Sequence, residues 1–340
     1  MTSATSSTRH LPKSKFHQNI ASTPTESRIP KVPLHEAPPH ENIHLEADAP
    51  SFLHPGHVIP PRNYPGIDTL IIVCCHAIFH PDPNQPSFPL CSPFDEKHWH
   101  LAPFQMSNPV TGKPGEHETF LAHITAGLDA PTTGSCAAKS LLVFSGGATK
   151  PSLTSLTEAR SYYNAALALA LSRGSNGGGH AKSLFDKGWI LLEEYATDSF
   201  QNLLFSILRF RQATGAYPKQ IRVITHAFKA RRFLDLHAPA IAWPADRIRV
   251  QGIDPVMSRK EYEETCAGER RFGFEPWKQD PLGLGELLGG KRIQRGWRHS
   301  AVQELGANLE ESVRQLLEGR MVDDLPWRVV EPQKNSMAED

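Results

Sequence analysis

Three short stretches bring together residues that could bind or transform a small molecule. In SLLVFSGGATKPSLTSLTEAR (residues 140–160) an apolar run stops at Ser145-Gly146-Gly147 and turns toward a helix. Glycine lets a ligand approach the backbone without a Cβ clash. The helix start behind it offers N–H groups and partial positive charge to a phosphate or carboxylate. In LLEEYATDSFQN (191–202) a strand ends at Glu193 and Glu194, and Thr197, Asp198 and Ser199 follow as candidate helix caps. Glu193, with Glu158 from the first stretch, suits a ribose hydroxyl or the work of a general base. In THAFKARRF (225–233) a strand end at Thr225-His226 leads into Lys229, Arg231 and Arg232. Cations in a first helical turn oppose the helix dipole, and a bound anion would compensate them.

Each stretch also has a plain structural reading: a tight turn, a polar strand end with an ordinary cap, and a solvated basic face. Other chemistries are weaker on spacing. Ser145 with His226 and Asp198 would make a serine hydrolase, but the GxSxG elbow is missing. His76-x3-His80-x-Asp82 offers metal ligands without a fourth partner. GSNGGGH (174–180) lies between a helix and a strand, the wrong order for a dinucleotide fingerprint, and reads as a flexible turn. No metal or dinucleotide cofactor is therefore indicated, and a nucleotide-like or S-adenosylmethionine-like ligand stays open. A non-catalytic binding or scaffold protein with Pro-rich arms is the remaining alternative.

The elements that must position these residues alternate. Strands are expected at 69–79, 140–145, 188–194, 220–228 and 246–254, and helices at 117–128, 155–173, 199–212 and from about Lys229. Ser155-x-x-Glu158 reads as a capping box. This alternation predicts a three-layer α/β/α arrangement, a mainly parallel sheet covered by helices on both sides, beginning near Gly66. A Pro-rich insertion spans 81–114 with eight prolines. A helical extension is expected over 257–330, containing the basic stretch GGKRIQRGWRH (289–299), which is expected to close over the strand ends.

Residues 1–65 hold 11 of the 29 prolines and seven histidines, with few clustered apolar side chains. Such an arm cannot bury enough surface to order itself, and 331–340 reads as a disordered tail. Lys+Arg and Asp+Glu are both 36, so the net charge is zero, which argues against a dedicated nucleic-acid binder. The five cysteines show no CxxC spacing, which fits a reducing, cytoplasmic setting. The Ser/Thr-rich start, without acids before Glu26, leaves mitochondrial import as the alternative. No apolar run reaches the length of a membrane span.

The set Ser145-Gly146-Gly147, Glu158-Ala159, Glu193…Asn202 and Thr225…Arg232 resembles Domain of Unknown Function family 218, the YdcF-like and SanA-like proteins. That pattern runs strand–SGG, EA opening a helix, E-x-x-S-x-N-T-x-E-N, then strand–T-S-x-Y-H-x-x-R. This chain has His226 at the Ser position and Lys229 at the His position, while Glu193, Asn202 and Arg232 match. The resemblance, to a fungal-type branch, covers about residues 66–256. It implies a Rossmann-like fold and a pocket at the carboxyl ends of the strands for a small anionic, nucleotide-like molecule. The residues expected around the ligand are Ser145, Gly146, Gly147, Asp198, Asn202, Thr225, His226, Lys229 and Arg232, with Glu158 and Glu193 as proton-handling groups. Arg232 is expected to reach the turn at Gly146-Gly147.

Overall fold

Thr69–Cys74 (TLIIVC) is a run of largely β-branched and apolar residues, and it forms β1, buried along its whole length. In the computed structural model, which describes residues 64–80, 91–132, 138–175 and 178–328, β1 is the centre of a five-stranded parallel sheet. Its other strands are β4 (Ser140–Ser145), β5 (Ile190–Glu193), β6 (Gln220–Thr225) and β7 (Ile248–Gly252). A two-stranded antiparallel pair, β2 (Ile78–Phe79) and β3 (Trp99–His100), stands apart. The order across the sheet is β5-β4-β1-β6-β7. The winding thus runs outward from β1 on one side, then returns to β6 on the other. That reversal point is where open α/β sheets leave a crevice outside the carboxyl ends of their strands.

Alternation along β1 divides the core. Ile71, Val73 and Cys75 face α1 (His117–Asp129), α2 (Glu158–Ser172) and α3 (Gly179–Asp186). Leu70, Ile72 and Cys74 face α4 (Ser199–Thr214) and the C-terminal helices. The three-layer α/β/α arrangement is therefore as expected. Gly127 lets α1 lie close to the sheet, since a Cβ there would sit 2.5 Å from Val73 Cγ2.

Several local expectations shift. Helix α2 starts at Glu158 under a Thr157 cap, with Thr157 Oγ1 accepting from Arg160 N at 3.0 Å, so the Ser155 capping box does not form. Gly178 takes a left-handed conformation (φ 87°) and opens α3 where a flexible turn was expected. After β6 the chain makes a 3₁₀ turn (Ala227–Lys229), a π-helical stretch (Arg232–His237) and a short α5 (Ala238–Ala240), not one basic helix. The extension forms α6 (Arg259–Glu269), α7 (Glu275–Gln279), α8 (Glu286–Gln294), α9 (Ser300–Leu305) and α10 (Glu311–Leu317). The expected tail over 331–340, and all of the expected arm over 1–65 but its last two residues, lie outside the described residues. Among the described residues no helix is long and apolar enough to cross a membrane.

Candidate functional site

At the reversal point, β1 delivers His76 and β6 delivers Thr225 and His226, with Lys229 in the next turn. Lys229 Nζ lies 3.4 Å from His76 Nδ1, and His76 Nε2 lies 3.2 Å from Thr225 Oγ1. An ammonium only donates, so His76 accepts at Nδ1 and gives its Nε2–H to Thr225. Burial, then the neighbouring Lys229, hold His76 well below its ordinary pKa. Burial, then Arg232, push Lys229 down to about 8. The His226 ring lies 4.5 Å from that of His76 and 5.1 Å from that of His123, and stacks on Phe228 at 4.8 Å.

One strand further, the end of β4 is closed. Cys74, Ser145 and Glu193 lie side by side across β1, β4 and β5. Ser145 Oγ donates to Glu193, and Asn202 Nδ2 donates to Ser145 O at 2.9 Å and Oγ at 2.8 Å. Glu193 Oε1 also accepts from Tyr195 N (2.7 Å) and Ala196 N (3.0 Å). Burial pushes the Glu193 carboxyl up to about 7 against these donors. The serine-hydrolase geometry does not form: Ser145 and His226 sit on strands with β1 between them, two spacings of about 4.8 Å apart.

The double glycine does not present a cradle. Gly146 N donates to Glu193 O (3.0 Å) and Gly147 N to Ala196 O (2.6 Å). Glu158 N and Ala159 N donate back to Gly147 O (3.0 Å) and Gly146 O (2.9 Å). The amides expected to meet an anion are thus used within the turn. A Cβ on Gly146 would lie 2.8 Å from Glu158 Cβ and 3.0 Å from Cys75 Cβ. Close packing, not ligand approach, is what demands glycine there.

Arg232 also departs from expectation. Its guanidinium grips both carboxylate oxygens of Glu269, at the end of α6, and donates to Ser199 Oγ at 3.1 Å. The bidentate partner foreseen as a ligand is supplied by the chain itself. Asp198 caps α4 through Gln201 N (2.9 Å) and pairs with Arg292 Nε (2.6 Å). The basic stretch does lie over the strand ends: Arg295 donates to Thr197 O at 2.8 Å, and Gly296 approaches Ala148. Glu158, buried and bonded by Thr149 Oγ1, has its carboxyl raised by burial while Arg295, Lys150 and Lys229 pull it down.

For metal chemistry, His76 is engaged by Lys229 and Thr225, His80 stacks on His100 at 4.0 Å, and Asp82 lies outside the described residues. Among the described residues no group of three or more His, Cys, Asp or Glu is arranged to hold a metal ion.

The chain is 32% identical over 312 residues to "Uncharacterized protein YOR238W" of Saccharomyces cerevisiae, a match spanning 76% of this chain and 96% of that protein. This chain belongs to the family of that yeast protein. No family model matches the chain. No solved structure matches it.

Two groups of the site escaped the motif search, and His76 entered it only as a metal-ligand candidate. His76 follows the first strand, and the rule that ligands gather at the reversal point would have flagged it. His123 and Glu116 come from α1 and its leading turn, on residues that read as helix face. Glu269 sits 37 positions beyond Arg232 in a helix that buries none of its residues, and nothing local marks it as a partner.

Proposed function

We propose that this protein binds a small molecule bearing a phosphate or carboxylate at the carboxyl edge of its sheet, beside the β1/β6 reversal point. The observation that carries this is a set of cations that form no close ion pair. Lys150, Lys229 and Arg295 are near enough to lower the Glu158 carboxyl electrostatically, and Lys291 lies in the field of Arg295 and Arg232. Arg232 and Arg292 are neutralised by Glu269 and Asp198. Among the described residues the other four form no ion pair, so they supply unspent positive charge at one edge. Lys229 is the anchor, because its amino end is desolvated and an anion there gains most from it. Glu158, with a raised carboxyl, is the group placed to give or take a proton.

The likeness to the YdcF-like pattern supports the same reading, a nucleotide-like or phosphorylated ligand, with Lys229 as its cation. The zero net charge supports a small molecule over nucleic acid. Cys74, Cys75 and Cys266 are free thiols, which supports a reducing, cytoplasmic setting.

Thermal-shift titration of the full chain with inorganic phosphate, AMP, ATP, glycerol 3-phosphate and S-adenosylmethionine tests it. A ligand of the native state raises the melting temperature saturably, and Lys229→Met is expected to remove that rise. A flat response to every compound would overturn the reading.

A further inference from the structure

A second cluster, one imidazole ring away from Lys229, is short of partners. His226 is 1% exposed and His123 is 0% exposed. Neither ring nitrogen of His226 has a hydrogen-bond partner, nor has Nδ1 of His123. Buried polar side chains are nearly always paired, so three such atoms in touching rings ask for a missing partner. The remaining contacts fix what that partner must be. His123 Nε2 lies 2.9 Å from Ile253 O, and a carbonyl only accepts, so the proton is on Nε2 and Nδ1 is a bare lone pair. An oxygen of Glu116 lies 3.8 Å from His226 Nε2, beyond a direct hydrogen bond and within the span of one bridging oxygen. The other Glu116 oxygen is held by Lys113 at 3.3 Å. Burial, and Lys229 with it, keep His226 and His123 neutral near pH 7.

The cluster therefore shows two acceptors, Glu116 and His123 Nδ1, and one neutral imidazole that donates once and accepts once. A phosphate only accepts and would be repelled by Glu116. An ammonium only donates and would sit beside Lys229. A hydroxyl does both and carries no charge. Phe228 and Phe120 flank the His226 ring with carbon surface, as suits the C–H faces of a polyol. We infer that Glu116, His123 and His226 receive a hydroxyl group of the ligand whose anion rests on Lys229, so that the ligand is a sugar or polyol phosphate. This rests on the anion-binding reading and narrows it.

Glycerol 3-phosphate and propyl phosphate share one anion and one carbon chain, and differ only in hydroxyls. Calorimetry of the full-length protein is expected to show glycerol 3-phosphate, and glucose 1-phosphate with it, binding at least tenfold tighter than propyl phosphate. In His226→Phe this preference should collapse to less than twofold, while propyl phosphate binds as before. The melting temperature should not fall, because phenylalanine leaves no unpaired nitrogen. Glu116→Gln keeps the shape of its site and should lose part of the same preference, so the test survives a poorly folding His226 variant. Equal binding of the two phosphates by the wild type would mean that the cluster holds an ordered water only; the inference would fall and the anion site would stand. Failure of every phosphate to bind would remove both.

Discussion

The two halves of one sheet edge are built on opposite plans. At the ends of β4 and β5 the polar groups are spent on one another: Ser145, Glu193, Asn202 and the amides of Gly146 and Gly147 all have partners inside the protein. Around the ends of β1 and β6, His226 and, from α1, His123 keep unpartnered nitrogens, and a desolvated lysine faces an imidazole. A satisfied buried network stabilises and specifies a fold. An unsatisfied one costs stability, and it persists where something else completes it. The glycine turn, which looks most like a ligand loop in the sequence, is the scaffold. The histidine-rich end beside it is the half proposed to receive a ligand.

Substitutions in the closed half should therefore strike stability first. Glu193→Ala removes the acceptor for the Ser145 hydroxyl and the Tyr195 and Ala196 amides. Leaving buried donors unpaired costs ~1–3 kcal/mol each, so a loss of about 4 kcal/mol is expected in urea unfolding. A loss below ~1 kcal/mol would show that the network is not structural. The carboxyl also sets a pH dependence. Its folded value is about 7, against an ordinary 4.5. The folded state then holds the proton more tightly than the unfolded one, and stability falls as pH rises from about 4.5 to about 7. Glu193→Gln should flatten that slope. Gly146→Ala is expected to cost ~2 kcal/mol by overpacking against Glu158 and Cys75, a loss that added ligand does not restore to the wild-type curve.

Between the halves stands Arg232. Were Arg232 a free cation, Arg232→Lys would weaken ligand binding and spare the melting temperature. Its bidentate pairing with Glu269 reverses that expectation. Lysine cannot reproduce the fork, and disturbing a largely buried pair leaves a poorly compensated carboxylate. The melting temperature should fall by several degrees, with protease cutting first within 259–274, since α6 buries none of its own residues. An unchanged melting temperature would return Arg232 to the receptive half.

The elements were legible because their signals are local. TLIIVC is continuous and apolar, so β1 and its burial follow from the residues alone. Lys229 stands out as a cation in a first turn. What was not legible is where hydrogen bonds close. Nothing in Ser145-Gly146-Gly147 says that Glu193, 48 residues later, will claim the serine hydroxyl. His123 reads as one residue of an amphipathic helix, and only the packing of α1 beside β6 and Ile253 gives it a bare lone pair. Glu269 is one carboxylate among several in a charged helix. Partners far apart in sequence leave no periodicity, so the sheet edge could be located while its division into closed and receptive halves could not.

Lys229 sharpens the comparison most finely, because stability and binding should respond in opposite directions. The folded lysine loses its proton at about 8, against 10.5 for an ordinary one. Between those values the unfolded chain binds more protons than the folded one, so stability rises with pH from about 8 to about 10.5. Below 8 the fold carries a desolvated charge that forms no ion pair, with Glu269 and Glu116 acting on it only at longer range. Lys229→Met removes that charge while keeping the length of the side chain. Its melting temperature at pH 7 should equal or slightly exceed the wild type, and the rise between pH 8 and 10.5 should vanish. Anion binding needs the protonated amine, so wild-type affinity for glycerol 3-phosphate should drop as pH passes 8. The variant should bind weakly at every pH. If Lys229→Met instead melted several degrees lower and kept its affinity, the lysine would belong with Glu193 among the structural groups, and the boundary between the two halves would have to be redrawn around the histidines alone.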